Sequence, residues 1–304
     1  MRRAGLVINP KAGRGASIGT RLDEMIRVFS AHGFETDIRR TTSEPDSACD
    51  LAVRVSESCD TVIACGGDGT VHGVLQGIAG TATPLGVIPF GTANALARNL
   101  SLPTDPILAL DRLLSFTAKQ IPLGKATTLT STRWFTVMAG AGPDGTLVQE
   151  MKLSAKVRAG RSAYYTEAAR IFLTRRFPQF RVEYRFLGSN IWESRLAVGM
   201  MASRIQNLGG LFSGLTSDSR LHHPHLLVQL LASPAHLAFP AWMALGKAGL
   251  GKANPWLTTL EVEELRCVPL QDERQVFAQV DGEAVGALPL TIQVVPSSLH
   301  LLMP

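Results

Sequence analysis

A short glycine-rich stretch, Gly66-Gly67-Asp68-Gly69-Thr70, carries the clearest chemical signal in the chain. It follows an apolar run at 61–65 and precedes a helical pattern, an arrangement that exposes backbone N–H groups and a helix dipole to an anion. Glycines let a phosphate approach the backbone because no Cβ intervenes. A carboxylate beside phosphates is repelled unless a cation sits between them or it accepts a proton. The stretch therefore predicts nucleotide phosphates with a metal, and the alternative is a plain turn with a solvated Asp68.

Three further turns resemble this one in their setting. The turn at 9–15 follows a short apolar strand and contains Lys11 and Arg14, and the turn at 89–94 follows the strand at 84–88. The strand at 33–40 ends at Thr41 and Thr42. None of these is a Walker A motif, because no Gly-Lys-Ser/Thr follows. Each turn alone is also compatible with a surface loop.

The elements that position these turns alternate between strands and helices. Helical patterns at 17–31, at 46–58 and from 94 or 95 onward separate the strands. This alternation predicts a parallel sheet with right-handed crossovers. Ligands of such sheets bind beyond the carboxyl ends of the strands, where all four turns fall. We therefore predict one nucleotide site at this edge.

The second half has a different pattern. From about residue 125 the chain shows many apolar strands at short spacing, at 134–140, 181–187, 192–203, 226–231, 258–268, 276–280 and 290–295. Such a series indicates a sandwich-like or barrel-like domain. The predicted fold is an α/β domain at 1–124 with a parallel Rossmann-like sheet, then a β-rich, sandwich-like domain at 125–304. The last strand is free to pack back on the first domain, and the active site is expected in the cleft.

Three segments of the second half leave alternatives open. A basic helix at 147–173 could face anionic lipid head groups or simply be solvated. An apolar stripe at 233–251 could form the mouth of a lipid pocket or belong to the core. His222, His223 and His225 could hold a soft metal such as Zn²⁺ or could be ordinary loop residues.

Composition narrows the class of protein. The net charge is +5, which suits an anionic membrane surface or substrate. Nucleic acid is disfavoured, because basic and aromatic residues do not interleave as in single-strand binders. The most apolar region, 226–250, is interrupted by prolines and Lys247, so a spanning helix is not expected. Four cysteines without metal-ligand spacing and the absence of a signal peptide predict a cytoplasmic protein.

At this point the motifs resemble a known family. Asn-Pro-x-x-Gly, Gly-Gly-Asp-Gly-Thr and Pro-x-Gly-Thr-x-Asn-x-x-Ala-Arg occur in the order and at the separations of the diacylglycerol kinase catalytic domain. Bacterial lipid kinases, sphingosine kinases and ceramide kinases share that domain. Asp281-Gly282-Glu283 resembles the family's Asp-Gly-Glu segment, so the resemblance extends over nearly the whole chain.

The resemblance implies ATP- and Mg²⁺-dependent phosphorylation of a lipid hydroxyl. It implies that Glu283 is the general base, with Asp68 the next choice, and that Asp68 positions Mg–ATP. It also suggests that Asp144 positions the lipid hydroxyl, although Asp144 could equally be a helix N-cap. The nucleotide-binding residues that it implies are Asn9, Thr41, Thr42, Gly66, Gly67, Asp68, Gly69, Thr70, Val71, His72, Thr92 and Asn94.

Departures from the family pattern keep rival functions open. His72-Gly73 replaces the usual Asn-Glu, and Ala95 replaces an aspartate, which tilts the acceptor slightly towards a sphingoid base or ceramide. The histidine run stands where many bacterial members have Asp-Asp-Gly-Leu, so an oxygen-ligand metal site is not expected there. The rivals are a kinase of a soluble hydroxyl compound, as NAD kinases are, and a nucleotide-binding regulator without turnover. Peripheral contact with the inner membrane face and a homodimer are left open.

Overall fold

The chain divides into two compact units. The computed structural model describes residues 2–12, 18–153, 170–171, 174–206, 220–232, 241, 244–245, 248, 256–270 and 275–304. The first unit comprises Met1–Leu123 and Pro296–Pro304, and the second comprises Gly124–Val295.

The first unit alternates strands and helices, as the sequence predicts. Its elements are β1 (Arg2–Ile8), α1 (Ile18–Ala31), β2 (Phe34–Arg40), α2 (Ser47–Ser56), β3 (Thr61–Gly66), α3 (Asp68–Ile78), β4 (Leu85–Pro89), α4 (Ala95–Asn99), α5 (Pro106–Leu114) and the first part of β5 (Thr117–Thr128). Every residue of β3 and of β4 is buried. Continuous apolar runs of this kind are typical of parallel strands that are covered on both faces.

The parallel sheet places the predicted turns side by side. Its order is β2-β1-β3-β4, and each neighbouring pair is parallel. The chain passes from β1 outward to β2 and then returns to the other side of β1 to form β3. This reversal is a topological switch point, the position at which open α/β sheets bind ligands. The ends of β1 and β3 meet there.

The helices of this unit follow from apolar spacing and caps. Helix α1 buries Ile18, Leu22, Met25 and Phe29, which recur every three or four residues along one face. Helix α5 begins after Asp105, whose Oδ1 accepts hydrogen bonds from the N–H groups of Ile107 and Leu108. A proline at the first helical position suits such a start, because its missing N–H would have no helical partner.

The end of the chain completes the first unit. Strand β15 (Leu290–Met303) leaves the second unit and pairs in parallel with β4 at Leu301 and Leu85. The Ser298 carbonyl accepts a hydrogen bond from the Gly80 N–H at 2.7 Å. Lys119 Nζ donates to the Pro304 carbonyl.

The second unit is rich in antiparallel strands. Besides the rest of β5 and most of β15, it contains β6 (Thr132–Phe135), β7 (Met138–Ala141), α6 (Pro143–Leu153), β8 (Phe180–Phe186), β9 (Trp192–Ala197), β10 (Gly199–Ser203), β11 (Leu226–Leu231), β12 (Leu257–Pro269), β13 (Phe277–Val280) and β14 (Glu283–Ala287). Strands β14-β13-β7-β10-β11-β12 follow one another in the sheet, and the β8–β9 hairpin pairs with β12. Phe135, Phe180 and Tyr184 are the largest side chains of its apolar core.

The predicted fold class is confirmed, with local differences. The predicted strand at 192–203 is two strands, because Val198 leaves the β8 ladder and donates its N–H to the Leu231 carbonyl. The predicted strand at 134–140 is likewise two strands, β6 and β7, with a break at Thr136 and Val137. Strands β5 and β14 were not predicted. Residues 117–120 of β5 are exposed and polar, and β14 contains Gly286, so neither gives an apolar signal.

Several predicted features lie wholly or largely outside the described residues. They are Arg14, most of the basic helix at 147–173 and most of the apolar stripe at 233–251. Among the helices within the described ranges, none has the length and apolar character needed to cross a bilayer.

Candidate active site

The β3–α3 turn is built around glycines that admit close contacts. Gly67 is the N-cap of α3, and its carbonyl accepts hydrogen bonds from the N–H groups of Thr70 and Val71. A Cβ on Gly66 would lie 2.3 Å from Thr70 Oγ1, so only glycine leaves room for that buried hydroxyl. Gly69 in the first helical turn is exposed. The turn therefore presents the positive end of α3 to solvent.

The β4–α4 turn is held in shape by Asn94. Its backbone adopts a left-handed conformation with φ of 47°. Its side chain closes the turn on Gly91, because Asn94 Oδ1 accepts from the Gly91 N–H and Nδ2 donates to the Gly91 carbonyl, both at 2.8 Å. Asparagine tolerates this backbone better than most residues do. The motif therefore contains asparagine at this position because its backbone and side chain together hold the turn in shape.

The two turns pack against each other through their glycines. A Cβ on Gly91 would lie 2.5 Å from the Gly67 Cα, and a Cβ on Gly67 would lie 3.2 Å from the Gly91 Cα. The Phe90 N–H also donates to the Gly66 carbonyl at 2.9 Å. Glycine at both positions brings the two backbones together, and an anion at this point would meet main-chain groups rather than side chains.

Asp68 joins the same two turns. Its Oδ2 accepts from the Asn94 N–H at 2.9 Å, and its Oδ1 accepts from the Ala95 N–H at 2.6 Å. The carboxylate therefore caps the start of α4 from a neighbouring helix, where negative charge is favourable. The sequence predicts a role towards Mg–ATP for Asp68. The structure adds a second role, in which Asp68 fixes one phosphate-type turn against the other.

The ends of β1 and β2 lie at the same edge of the sheet. The Asn9 N–H donates to the Cys65 carbonyl at 3.0 Å, which ties the end of β1 to β3. Asn9 Oδ1 accepts from the Lys11 N–H, and Lys11 Nζ donates to Ser43 Oγ at 2.8 Å. Thr41 donates its N–H to the Ile8 carbonyl. One cation is therefore positioned at the edge that carries the glycine turns.

The other residues predicted to bind the nucleotide differ in their exposure to solvent. Thr92 and Thr42 are exposed, and Val71 is half-buried. His72 is buried within α3. Its backbone carbonyl accepts from the Gln76 side chain. The described part of the chain thus puts all of these residues at one edge of the sheet, with His72 pointing least towards solvent.

Glu283 follows a tight turn in the second unit. Asp281 and Gly282 have φ values of 49° and 86°, which is typical of the Asp-Gly hairpin turn that the sequence offers as the plainer interpretation. The Asp281 carboxylate accepts hydrogen bonds from the N–H groups of Thr136, Val137 and Met138 at 2.9 to 3.2 Å. Glu283 is the first residue of β14 and is exposed. Its carboxylate is therefore carried on a firmly anchored turn.

Asp144 lies in the first turn of α6 and is buried. Its Oδ1 accepts from the Gly145 N–H, and its Oδ2 accepts from Gln279 Nε2 at 3.1 Å. A Cβ on Gly140 would lie 1.7 Å from Asp144 Oδ2, so this glycine makes room for the carboxylate. Burial raises the pKa of Asp144 to about 6, and the bond from Gln279 opposes that rise. Asp144 is not the N-cap of α6, because it lies inside the helix.

Comparison with known proteins identifies the first part of the chain. Residues 3–126 match the family model of the diacylglycerol kinase catalytic domain. Residues 3–126 are therefore similar to this kinase catalytic domain. The chain is 27% identical over 309 residues to the diacylglycerol kinase of Bacillus subtilis (strain 168), covering 100% of this chain and 97% of that protein. It is 26% identical over 291 residues to the diacylglycerol kinase of Staphylococcus saprophyticus, covering 95% and 91%.

A solved structure shows the same fold. The crystal structure of a diacylglycerol kinase from Bacillus anthracis str. Sterne aligns with a TM-score of 0.75 and 21% identity, covering 100% of this chain and 97% of that one. The resemblance to this kinase family and the two-part fold that the sequence predicts are therefore confirmed.

Asp68 carries the one carboxylate within the turn Gly66–Thr70. Within the ranges described, no three His, Cys, Asp or Glu side chains are placed to hold a metal ion. Asp68 is the carboxylate nearest the glycine turns in sequence, and both of its oxygens accept backbone hydrogen bonds. Mg²⁺ in kinases is commonly held by substrate phosphates, waters and one or two carboxylates, so such a site does not require a protein cage.

The histidine run surrounds a buried arginine that sequence reasoning missed. Arg204 is fully buried and donates to the carbonyls of Leu221, His223 and His225 at 2.6 to 2.9 Å. Burial lowers the pKa of Arg204 to about 10. Burial also lowers the pKa of His223, with the neighbouring His225 and His222 adding to the effect. A protein cation thus organises this loop.

Gln279 is a second residue whose role sequence reasoning missed. It is buried, and it contacts both Asp144 and the Asp281–Gly282 turn. The available signal was a polar residue alternating with apolar residues on a buried strand, because an amide in such a place needs hydrogen-bond partners.

Proposed function

We propose that the chain transfers the γ-phosphate of ATP to the hydroxyl group of a lipid. The observation that carries the proposal is the backbone contact between the glycine turns after β3 and β4, which Asp68 reinforces. Added Cβ atoms would disrupt this contact, and two helices start beside it. Such a cradle suits a polyphosphate, which backbone N–H groups and helix dipoles stabilise.

In this proposal the nucleotide phosphates lie at the edge formed by Asn9 and the two glycine turns. Lys11, held by Ser43 beside Asn9, supplies positive charge. Asp68 would hold Mg²⁺ together with ATP, and the ion would supply positive charge against the negative charge that develops during transfer. Thr41, Thr42, Thr70, Thr92 and Asn94 would orient the nucleotide through hydroxyl, amide and backbone groups.

The second unit supplies groups for the acceptor. Glu283 is proposed to take the proton of the attacking hydroxyl, and its exposure makes it accessible to a substrate. Asp144 is proposed to accept a hydrogen bond from that hydroxyl. A carboxyl with a pKa of about 6 is mostly ionised at neutral pH and can therefore act as an acceptor. Phosphate transfer then needs no covalent intermediate on the protein.

The relatives favour a lipid over a soluble acceptor. Both relatives named above carry the name diacylglycerol kinase, and each aligns over at least 95% of this chain. The first of them aligns over 100% of this chain, which includes the whole acceptor unit. The sequence alignment with that relative thus includes the residues proposed to bind the acceptor as well as the glycine turns. Sphingoid bases and ceramides present a comparable primary hydroxyl and belong in the same test.

The test is a phosphorylation assay with ATP labelled in the γ position. Purified protein and Mg–ATP are offered diacylglycerol, monoacylglycerol, sphingosine, ceramide and phosphatidylglycerol in mixed micelles, and NAD and simple sugars in parallel. ATP binding is measured separately by calorimetry. Omission of Mg²⁺ and addition of chelator provide the blank.

A labelled lipid that requires Mg²⁺ is the expected result. Label found only in a soluble acceptor would replace the proposal with a kinase of small hydroxyl compounds. Protein that binds ATP but labels no acceptor would indicate a nucleotide-binding regulator.

A further inference from the structure

Gln279 is a buried side chain that uses both ends of its amide. It lies on β13 with only 3% of its surface exposed, between the fully buried Ala278 and Val280. Its Nε2 donates to Asp144 Oδ2 at 3.1 Å, and its Oε1 accepts from the Gly282 N–H at 2.8 Å. A glutamine cannot exchange these roles without breaking both bonds, since one partner only accepts and the other only donates.

The two groups that Gln279 joins lie on different elements of the second unit. Asp144 enters from α6, which packs against β13, β14 and β7. Gly282 is the second residue of the turn that leads directly into Glu283. One amide thus connects the proposed hydroxyl-binding carboxylate with the backbone beside the proposed base.

Close packing and hydrogen bonds restrict the movement of both partners of the Gln279 amide, Asp144 and the turn at Gly282. At the Asp144 end, a Cβ on Gly145 would lie 2.1 Å from the Phe277 carbonyl, so α6 begins in close contact with β13. At the turn end, Asp281 accepts three backbone hydrogen bonds. The Val285 carbonyl of β14 accepts from Thr128 Oγ1 and Ser131 Oγ at 3.2 Å. The Gln279 amide can therefore form both of its hydrogen bonds in one orientation only.

We propose that Gln279 is a positioning residue, which fixes Asp144 and the Glu283 turn relative to each other for lipid phosphorylation. The inference rests on the proposed function for its kinetic consequences. Its structural part concerns only the amide and its two partners. Gln279 itself transfers no proton.

The charged groups that face Asp144 are few. Strands β7 and β13 carry no ionisable side chain, and β14 carries Glu283. On its own helix, Glu150 pairs with Arg170 and Arg175. The buried Cys267 thiol also senses the Asp144 charge, but burial raises its pKa so that it stays neutral. The Gln279 amide is therefore the side-chain donor that stabilises the Asp144 anion among the described residues.

The test compares two variants that break different bonds. Gln279→Glu keeps an acceptor for Gly282 but replaces the amide donor by a second carboxyl, which shares a proton with Asp144 and raises the pKa of the pair. Gln279→Met removes both hydrogen bonds. Gln229→Met is the matched control, because Gln229 is another buried glutamine, on β11 of the same unit. NMR measures the titration of the Asp144 carboxyl and the hydrogen exchange of the Gly282 amide. Steady-state kinetics with the lipid found active give kcat, KM and the pH profile.

Both Gln279 variants should raise the pKa of Asp144 and move the acid limb of kcat/KM for the lipid to higher pH. A lost hydrogen bond to a charged group should raise KM for the lipid about tenfold or more in both. Only Gln279→Met should also speed Gly282 exchange and lower kcat about tenfold, because only it releases the turn. KM for ATP should not change, and Gln229→Met should move neither NMR readout.

The proposal is overturned if Gln279→Met leaves the Asp144 titration and Gly282 exchange as in the wild type. It is also overturned if both variants reduce kcat equally with no shift in the pH profile, because a general loss of structure would lower kcat in this way. A wild-type protein that labels no lipid would instead reject the proposed function. The NMR measurements need no substrate, so the two failures are distinguishable.

Discussion

Three aspartates of the motif set lie in two kinds of environment, which suggest two kinds of role. Asp68 and Asp281 accept backbone N–H groups with both carboxylate oxygens, as anchors of turns do. Asp144 is buried with one side-chain donor. Glu283 alone among the four candidate carboxylates is exposed. An exposed carboxylate on an anchored turn is the group best able to meet a substrate and exchange a proton.

Glu283→Gln should retain ATP binding and lose turnover. The amide occupies the same space but cannot take the hydroxyl proton, so kcat should fall by about 10²- to 10⁴-fold. Steady-state assays with the active lipid measure kcat, and calorimetry measures ATP affinity. Glu57→Gln, an exposed glutamate after α2, is the control and should keep full activity. If Glu283→Gln keeps more than a tenth of the wild-type kcat, the base lies elsewhere and Asp68 becomes the next candidate.

Asp144→Asn should change how stability depends on pH. The folded pKa of Asp144 is raised to about 6, whereas the unfolded value is about 4, so the folded state holds the proton more tightly. Its stabilising contribution is fully present below about pH 4 and is lost as the pH rises through 6. Asparagine stays neutral at every pH.

The variant should therefore gain stability relative to the wild type by about 3 kcal/mol between pH 4 and pH 7. Urea unfolding at pH 4, 5, 6 and 7 gives both curves. Parallel curves across this range would mean that Asp144 titrates at its ordinary pKa.

Sequence reasoning could predict which residues matter here better than what each one contacts. The spacing of Asp68 and Glu283 within motifs marks both residues as candidates. The bonds from Asp68 to Asn94 and Ala95 depend on two turns meeting in space. No local pattern encodes that contact, because it arises from the order of strands in the sheet.

At the scale of elements, α4 begins with a cap from another helix. Asp68 supplies it with two oxygens, each bound to a different N–H. Asp105 caps α5 differently, because its single Oδ1 accepts from both Ile107 and Leu108. The two helix starts therefore respond differently to the same substitution.

Asp68→Asn should destabilise the protein by about 1–3 kcal/mol, because the new NH₂ group faces a backbone N–H and leaves it unpaired. Asp105→Asn keeps the accepting oxygen and loses only an ion pair with the half-exposed Arg21, so it should cost less than about 1 kcal/mol. Urea unfolding at neutral pH measures both. Equal losses in the two variants would show that the Asp68 cap does not tie the turns together.

Element types were predictable where one physical pattern dominated. Buried parallel strands such as β3 and β4 give continuous apolar runs, and α1 gives a clear apolar face. Strand β5 was missed because its exposed polar start carries no alternation. Its pairing with β6 and β15 is a tertiary property that a local window does not contain.

At the scale of the whole molecule, the first unit is made from both ends of the chain. Leu299 and Leu301 of β15 are fully buried, and residues 296–304 bond to the loops near Gly80 and to β5. The last segment thus forms part of the core that supports the glycine turns, although its sequence carries none of their motifs. Joining distant segments in this way costs chain entropy that burial must offset.

Leu301→Ala should therefore weaken the nucleotide unit from the far end of the sequence. Truncating a fully buried leucine costs about 2–5 kcal/mol. Leu129→Ala, which alters a leucine that is 82% exposed, should stay within about 0.5 kcal/mol of the wild type.

Far-UV circular dichroism follows unfolding of the unit that holds α1 to α5. Tryptophan fluorescence follows the other unit, because Trp134, Trp192, Trp242 and Trp256 all lie within Gly124–Val295. A larger shift of the dichroism midpoint than of the fluorescence midpoint is expected, whereas a Leu301→Ala protein as stable as Leu129→Ala would contradict the supporting role of β15.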